Sequence, residues 1–164
     1  MGHGERDRAV YRWHVSEIST ADIAPGVVVR IDTQQLRASG GSETNAQVTH
    51  TEDRAVTDAR DFLVVAVDAE RALCTAVPLF TRSSPGSAPL PPTKRAGDVG
   101  TWLTDDLHYS RWQHWRIPLA AFASASMNEP SEPGARRTFA SGDADALQDL
   151  ANWATRNRCA FRSV

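Results

Sequence analysis

The chain has 164 residues, 41% of them hydrophobic, enough for one domain with its own core and too few to expect two. Its 20 acidic and 18 basic residues leave a net charge of −2, so no global positive field advertises nucleic acid and any anion site must be local. The longest apolar run, Phe62 to Val67, falls far short of the ~20 residues of a membrane span, and Met1-Gly2-His3-Gly4-Glu5-Arg6 has no apolar signal core, so a cytoplasmic protein with no membrane partner is expected.

Residues 1–22 read as a polar N-terminal extension with Tyr11, Trp13, Val15 and Ile18 as scattered apolars, and one domain is expected over 23–164. Pro25-Gly26 punctuates the chain before a first strand, Val27 to Asp32. From Thr33 to Ala59 the chain is polar and reads as one long functional loop. Two apolar β-runs follow, Arg60 to Val67 and Ala72 to Thr81, joined by Asp68-Ala69-Glu70-Arg71 as a hairpin turn. If Asp68 pairs with Arg71 across a two-residue loop, Arg60 falls opposite Leu79 and shares a face with Thr81, a diagonal neighbour ~7–8 Å away. A three-residue loop would shift the register by one and send the two side chains to opposite faces.

Arg82 to Gly97 is a second loop, where Pro91-Pro92 forbids a central strand. Both long loops open from the rim that holds Arg60 and Thr81. Val99 to Leu103 and Trp112 to Leu119 read as strands, the second with Gln113, Trp115, Ile117 and Leu119 on one face and Trp112, His114 and Arg116 on the other. Ala123 to Gly142 reads as a loop, and Ser141 or Asp143 caps a last helix to about Asn157, with Leu147, Leu150, Ala151 and Ala154 as its apolar stripe. Five or six short strands without strand-helix alternation point to a mainly β fold, a small antiparallel barrel with long loops and a C-terminal α-helix.

Two constellations bear chemistry. A cation and a hydroxyl at one rim, Arg60 and Thr81, suit phosphate: the guanidinium can meet phosphorane oxygens bidentately, and the hydroxyl can position an oxygen. The plainer alternative is Arg60 paired with Asp61 or Asp58 at a strand end. In His108-Tyr109-Ser110-Arg111-Trp112-Gln113-His114-Trp115-Arg116, aromatics interleave with cations as single-stranded RNA binding requires. Trp112, His114, Arg116 and His108 are its candidate RNA-binding residues, and His108 and His114 can move protons at neutral pH. No metal and no cofactor is expected: Asp105-Asp106-x-His108 lacks a second half at a recognised spacing, and Cys74 and Cys159 form neither a zinc pattern nor a disulfide framework. Gly40-Gly41-Ser42 is no phosphate loop, and no Gly-x-Ser-x-Gly elbow occurs.

Pro25-Gly26-Val27-Val28-Val29, Arg60-Asp61-Phe62-Leu63-Val64-Val65 and Ala76-Val77-Pro78-Leu79-Phe80-Thr81 together resemble the MazF/PemK-like toxin family, patchily from Pro25 to about Leu119. The resemblance implies an SH3-like barrel and metal-independent cleavage of single-stranded RNA by 2′-hydroxyl attack, with Arg60 and Thr81 as catalytic residues. It also implies a homodimer and an antitoxin protein laid over the RNA groove. The chain departs from the family in Val27, where an acid is usual, and in Asp61, where a proline follows the Arg. The other functions open to the chain are a non-catalytic barrel of this kind that binds a protein or nucleic acid, and an unrelated enzyme centred on His108 and His114.

Overall fold

The computed structural model describes residues 18–46, 54–83, 86–96, 102–127, 137–138 and 144–164. Ten short strands, three α-helices and two single 3-10 turns (Thr20–Asp22 and Pro92–Lys94) are found there. The strands are β1 (Val28–Ile31), β2 (Glu43–Thr44), β3 (Arg60–Asp68), β4 (Leu73–Phe80), β5 (Ser87–Pro89), β6 (Arg95–Ala96), β7 (His108–Ser110), β8 (Trp115–Pro118), β9 (Arg137–Thr138) and β10 (Arg162–Ser163). The helices are α1 (Thr33–Ser39), α2 (Leu119–Ser124) and α3 (Ala144–Arg156). Every ladder is antiparallel, and the fold is mainly β with a C-terminal helix, as expected.

The main sheet runs β1-β3-β4-β8-β2-β10, with β7 on the far end of β4 and β5 on β7. β4 is the hub. Its first half, Leu73 to Ala76, pairs with β8, and its last residues, Leu79 and Phe80, pair with β7. Pro78, with no N–H to donate, lies between these two pairings.

Both faces of the sheet are buried, which explains why β3 reads as a continuous apolar run instead of alternating. On one face Val29, Ile31, Phe62, Val64, Cys74, Ala76, Trp115 and Ile117 pack under Leu36 of α1 and Phe122 of α2. Phe62 meets Trp115 edge to face at 5.7 Å between centroids. On the other face Val28, Leu63, Val65, Val77 and Leu79 pack with Leu90, Trp102 and Leu107, covered by Leu147, Leu150 and Ala151 of α3. The stripe read from the sequence is therefore the buried face of that helix.

Several expectations need correction. The stretch from Thr33 opens with α1, whose first turn Asp32 caps by accepting from the N–H groups of Gln34 and Gln35. Gly40, at φ +73°, ends it. Leu119 begins α2 instead of ending a strand. Trp102 sits in a turn, buried, its indole N–H donating to the Ala96 carbonyl at 3.0 Å. The packed domain also begins before residue 23: Ile18 is buried in the first core, and its N–H donates to Ser126 Oγ at 3.0 Å. Tyr11, Trp13, Val15, the run Val99 to Thr101 and the caps Ser141 and Asp143 lie outside the described residues. No helix among the described residues is long and apolar enough to cross a membrane.

Candidate functional site

The hairpin between β3 and β4 decides which side chains share the rim. Asp68 pairs with Leu73, so the loop has four residues, Ala69 to Ala72, and Ala72 takes φ +52°. Asp68 Oδ1 accepts the Arg71 N–H at 3.1 Å, closing the turn. Between Val64 and Ala66 the register then shifts by one at a β-bulge, which also turns Val67 onto the face of its partner Cys74. Beyond the bulge Phe62 is opposite Pro78.

Carried two residues further, that register sets Arg60 opposite Phe80, not Leu79. The guanidinium lies over the Phe80 ring, 4.6 Å from its centroid. Thr81 falls in a bend just past the end of β4 and is exposed, and Arg60 gives its hydrogen bonds to Asp58 and the Leu79 carbonyl, so the expected pairing of this cation with this hydroxyl is not formed.

What shares Arg60's face is a different residue. Phe80 pairs with His108 of β7, and directly opposed residues point to the same side of a sheet. Arg60, Phe80 and His108 thus form one row across three strands, the outer two about 10 Å apart backbone to backbone at the usual strand spacing. His108 Nε2 lies 3.2 Å from Asp106 Oδ1, and its side chain is mostly buried while that of Asp106 is exposed. With Nε2–H directed at a carboxylate, the neutral imidazole carries its basic lone pair on Nδ1.

Neighbouring groups fix both ends of the row. Arg60 Nε and Nη2 donate to the two carboxylate oxygens of Asp58 at 3.1 and 2.9 Å, and Nη1 to the Leu79 carbonyl at 3.3 Å. The acid on Arg60 is therefore Asp58. Asp61 faces Arg30 across β1 at 3.8 Å, on the opposite side of β3. The segment bearing Asp58 is tied down by Thr33 Oγ1 donating to the Asp58 carbonyl at 2.8 Å and by Arg37 donating to the Val56 carbonyl at 3.1 Å. Buried Gln113 completes it: Oε1 accepts from the Val56 N–H and from the Trp115 indole, and Nε2 donates to the Arg54 carbonyl. At the other end, the buried Arg95 guanidinium donates to the carbonyls of Leu90, Trp102 and Asp105, holding the loop that carries Asp106 into β7. Arg95 acts here as a clamp.

The remaining candidates separate from the row. His114 is fully buried, not on an exposed strand face, because the chain enters β8 only at Trp115. Its Nε2 lies 3.0 Å from the Arg111 carbonyl, which can only accept, so Nε2 carries the hydrogen and Nδ1 is a buried acceptor with no partner among the described residues. Burial pushes this imidazole down to about 4; the Arg111 carbonyl opposes the shift and the Arg116 charge adds to it. It is neutral at pH 7 and unfit to exchange protons with a bound strand. Trp115 and Ile117 are core residues, as the alternation requires. Arg116 is half-buried over the Phe161 ring, 3.6 Å from its centroid. Trp112 is 39% exposed and lines a separate cleft with Trp153.

Phe80 was missed in the sequence, whereas Asp58 was foreseen only as a strand-end partner of Arg60 and Asp106 only as part of a discounted metal pattern. Asp106 two residues before His108 was visible, but only the pairing of β7 with β4 brings that dyad to Arg60. Among the described residues no group of three His, Cys, Asp or Glu side chains is placed to hold a metal ion. No protein-family model, curated protein or solved structure matches the chain.

Proposed function

We propose that this chain is a toxin-like endoribonuclease that cleaves single-stranded RNA through the RNA's own 2′-hydroxyl, with the row Arg60, Phe80 and His108 as its site. The observation that carries this reading is that one face of three adjacent strands presents a cation, an aromatic ring and a carboxylate-bound imidazole. His108 takes the 2′-hydroxyl proton as that oxygen attacks phosphorus, and Asp106 stabilises the imidazolium that forms. Arg60 meets the charge that builds on the phosphorane oxygens. The bond to the 5′-oxygen breaks, that oxygen takes a proton from water, and the products are a 2′,3′-cyclic phosphate and a 5′-hydroxyl. Phe80 supplies the apolar floor between the two polar ends. Thr81 has no place in this scheme. The partners implied by the toxin resemblance belong to the same proposal: an antitoxin protein covering the row, and a second copy of the chain, in the cytoplasm.

A second reading rests on Asp58. A guanidinium whose fork is held by a carboxylate is less able to meet a phosphate, and this favours a binding module that keeps the fold and makes no cut. Single-turnover cleavage of an unstructured RNA separates the two. Arg60→Ala should lose ~10²-fold or more, with binding hurt less, and Arg60→Lys should rescue poorly because an ammonium lacks the bidentate fork. Cleavage in Arg60→Ala at the wild-type rate would remove this residue from the chemistry.

A further inference from the structure

A cavity of about 410 Å³ opens where β10, the end of β2 and the last turn of α3 meet, in the range of roughly 300–1,000 Å³ usual for small-ligand clefts. Two indoles, Trp112 and Trp153, line it together with Asn45, Cys159 and Arg162. None of these residues belongs to the row on β3, β4 and β7.

The walls are fixed from behind. The ring of fully buried His114 lies against Trp153, with centroids 5.9 Å apart and planes 34° from parallel. The His114 backbone N–H donates to Asn45 Oδ1 at 2.7 Å, and Thr44 Oγ1 donates to the His114 carbonyl at 2.8 Å. Engaging Oδ1 settles which way the Asn45 amide points, and its Nδ2 remains as a pair of donors on a residue that lines the cavity. Two arginines follow α3 in a chain of net charge −2, Arg158 and Arg162, with no acid after Asp149, which is itself engaged by Arg156 at 2.6 Å. β10 places Arg162 opposite Thr44, beside Asn45.

We infer that this cleft holds one unpaired nucleobase of a single-stranded RNA, stacked on Trp112 and Trp153, with a base carbonyl on Asn45 Nδ2 and the adjoining phosphate on Arg162. Indoles take any base face, and an arginine fork suits a phosphate. The inference rests on the proposed function only in naming RNA as the strand, since holding a base here requires no cutting. The cleft becomes a second hold on the strand, apart from the row that does the chemistry.

Cys159 in the wall gives a direct readout. Cys74, the other cysteine, is buried and its thiol is pushed up to about 12, so alkylation reports Cys159. The full chain is titrated with a mixed-sequence 2′-O-methyl RNA 10-mer, which cannot be cut because its 2′-oxygen is capped. Affinity is read by indole fluorescence, and the rate of Cys159 alkylation by iodoacetamide is read by mass. Binding should slow alkylation several-fold, and Trp153→Ala and Arg162→Ala should each weaken affinity about ten-fold. Because Trp153 is partly packed, Arg162→Ala, on an exposed strand end, keeps the test decisive if Trp153→Ala fails to fold. Unslowed alkylation at saturating RNA, wild-type affinity in Arg162→Ala, or protection by a neutral oligosaccharide in place of the RNA would each overturn the cleft assignment. Protection by the capped RNA without cleavage of ordinary RNA would sink the nuclease reading and leave the cleft standing.

Discussion

Acid should destabilise this protein through His114. Its imidazole is buried against Trp153 with Nε2–H given to the Arg111 carbonyl, and a second proton would have to sit on Nδ1, which has no acceptor among the described residues. The folded chain therefore takes that proton only near pH 4, whereas an unfolded histidine takes it near the ordinary 6.5. Between these values the unfolded state binds more protons, so stability is complete above about pH 6.5 and is lost as pH falls toward 4. Linkage makes the loss on the order of 2 kcal/mol at pH 5 and about 3 kcal/mol below pH 4. Urea unfolding of the wild type and of His114→Gln at pH 7.5, 6.5, 5.5 and 5 measures it, because glutamine keeps a donor for the Arg111 carbonyl and does not titrate. The wild type should lose about 2 kcal/mol more than the variant between pH 7.5 and 5. Equal pH dependence in the two proteins, or an NMR titration of His114 with its midpoint near 6.5, would refute the reasoning.

Other perturbations follow from packing and charge. Trp115→Ala should cost ~3–5 kcal/mol by chemical denaturation, since the indole is fully buried and meets Phe62 edge to face, whereas Trp112→Ala, at a half-open position, should leave the melting temperature nearly unchanged. Gly86→Ala should destabilise by at least ~1–2 kcal/mol from backbone strain at φ +79°, and should displace Trp112, because the new methyl would come within 2.6 Å of its ring; a shifted indole emission maximum would report this. Asp58→Asn should free the Arg60 fork, and since an exposed ion pair is worth ~0.2–1 kcal/mol, RNA affinity should rise by up to about five-fold in a filter-binding titration.

The parts of the fold legible in the sequence are those where one physical signal dominates. β1, β3 and β4 announce themselves as β-branched runs, and α3 as an apolar stripe at helical spacing. α1 is hidden because a seven-residue helix buries only Thr33 and Leu36, too little for a stripe; its signal was the pair of punctuation marks Asp32 and Gly40. The rim was misjudged for a different reason. One residue of register decides whether Thr81 or Phe80 faces beside Arg60, and that residue came from a four-residue loop combined with a bulge at Val65. Neither leaves a mark in a run such as Phe-Leu-Val-Val-Ala-Val. Partnership of His108 with Arg60 was beyond local reading altogether, because β7 reaches β4 across loops that carry no pairing signal. His114 shows the converse: alternation correctly buried Trp115, but the strand began later than its apolar pattern suggested, and the polar residue before it was carried inside.

The most direct measurement is the single-turnover rate of RNA cleavage, followed from pH 5 to 9 in excess EDTA, for the wild type and His108→Gln. If His108 is the base and Arg60 the cation, the wild type should cut without added metal, and His108→Gln should lose ~10²–10⁴-fold at every pH where the wild type cuts, with RNA affinity little changed. A wild type that binds RNA and never cuts it, or a His108→Gln that cuts at the wild-type rate, would contradict the assignment of this row as a catalytic site.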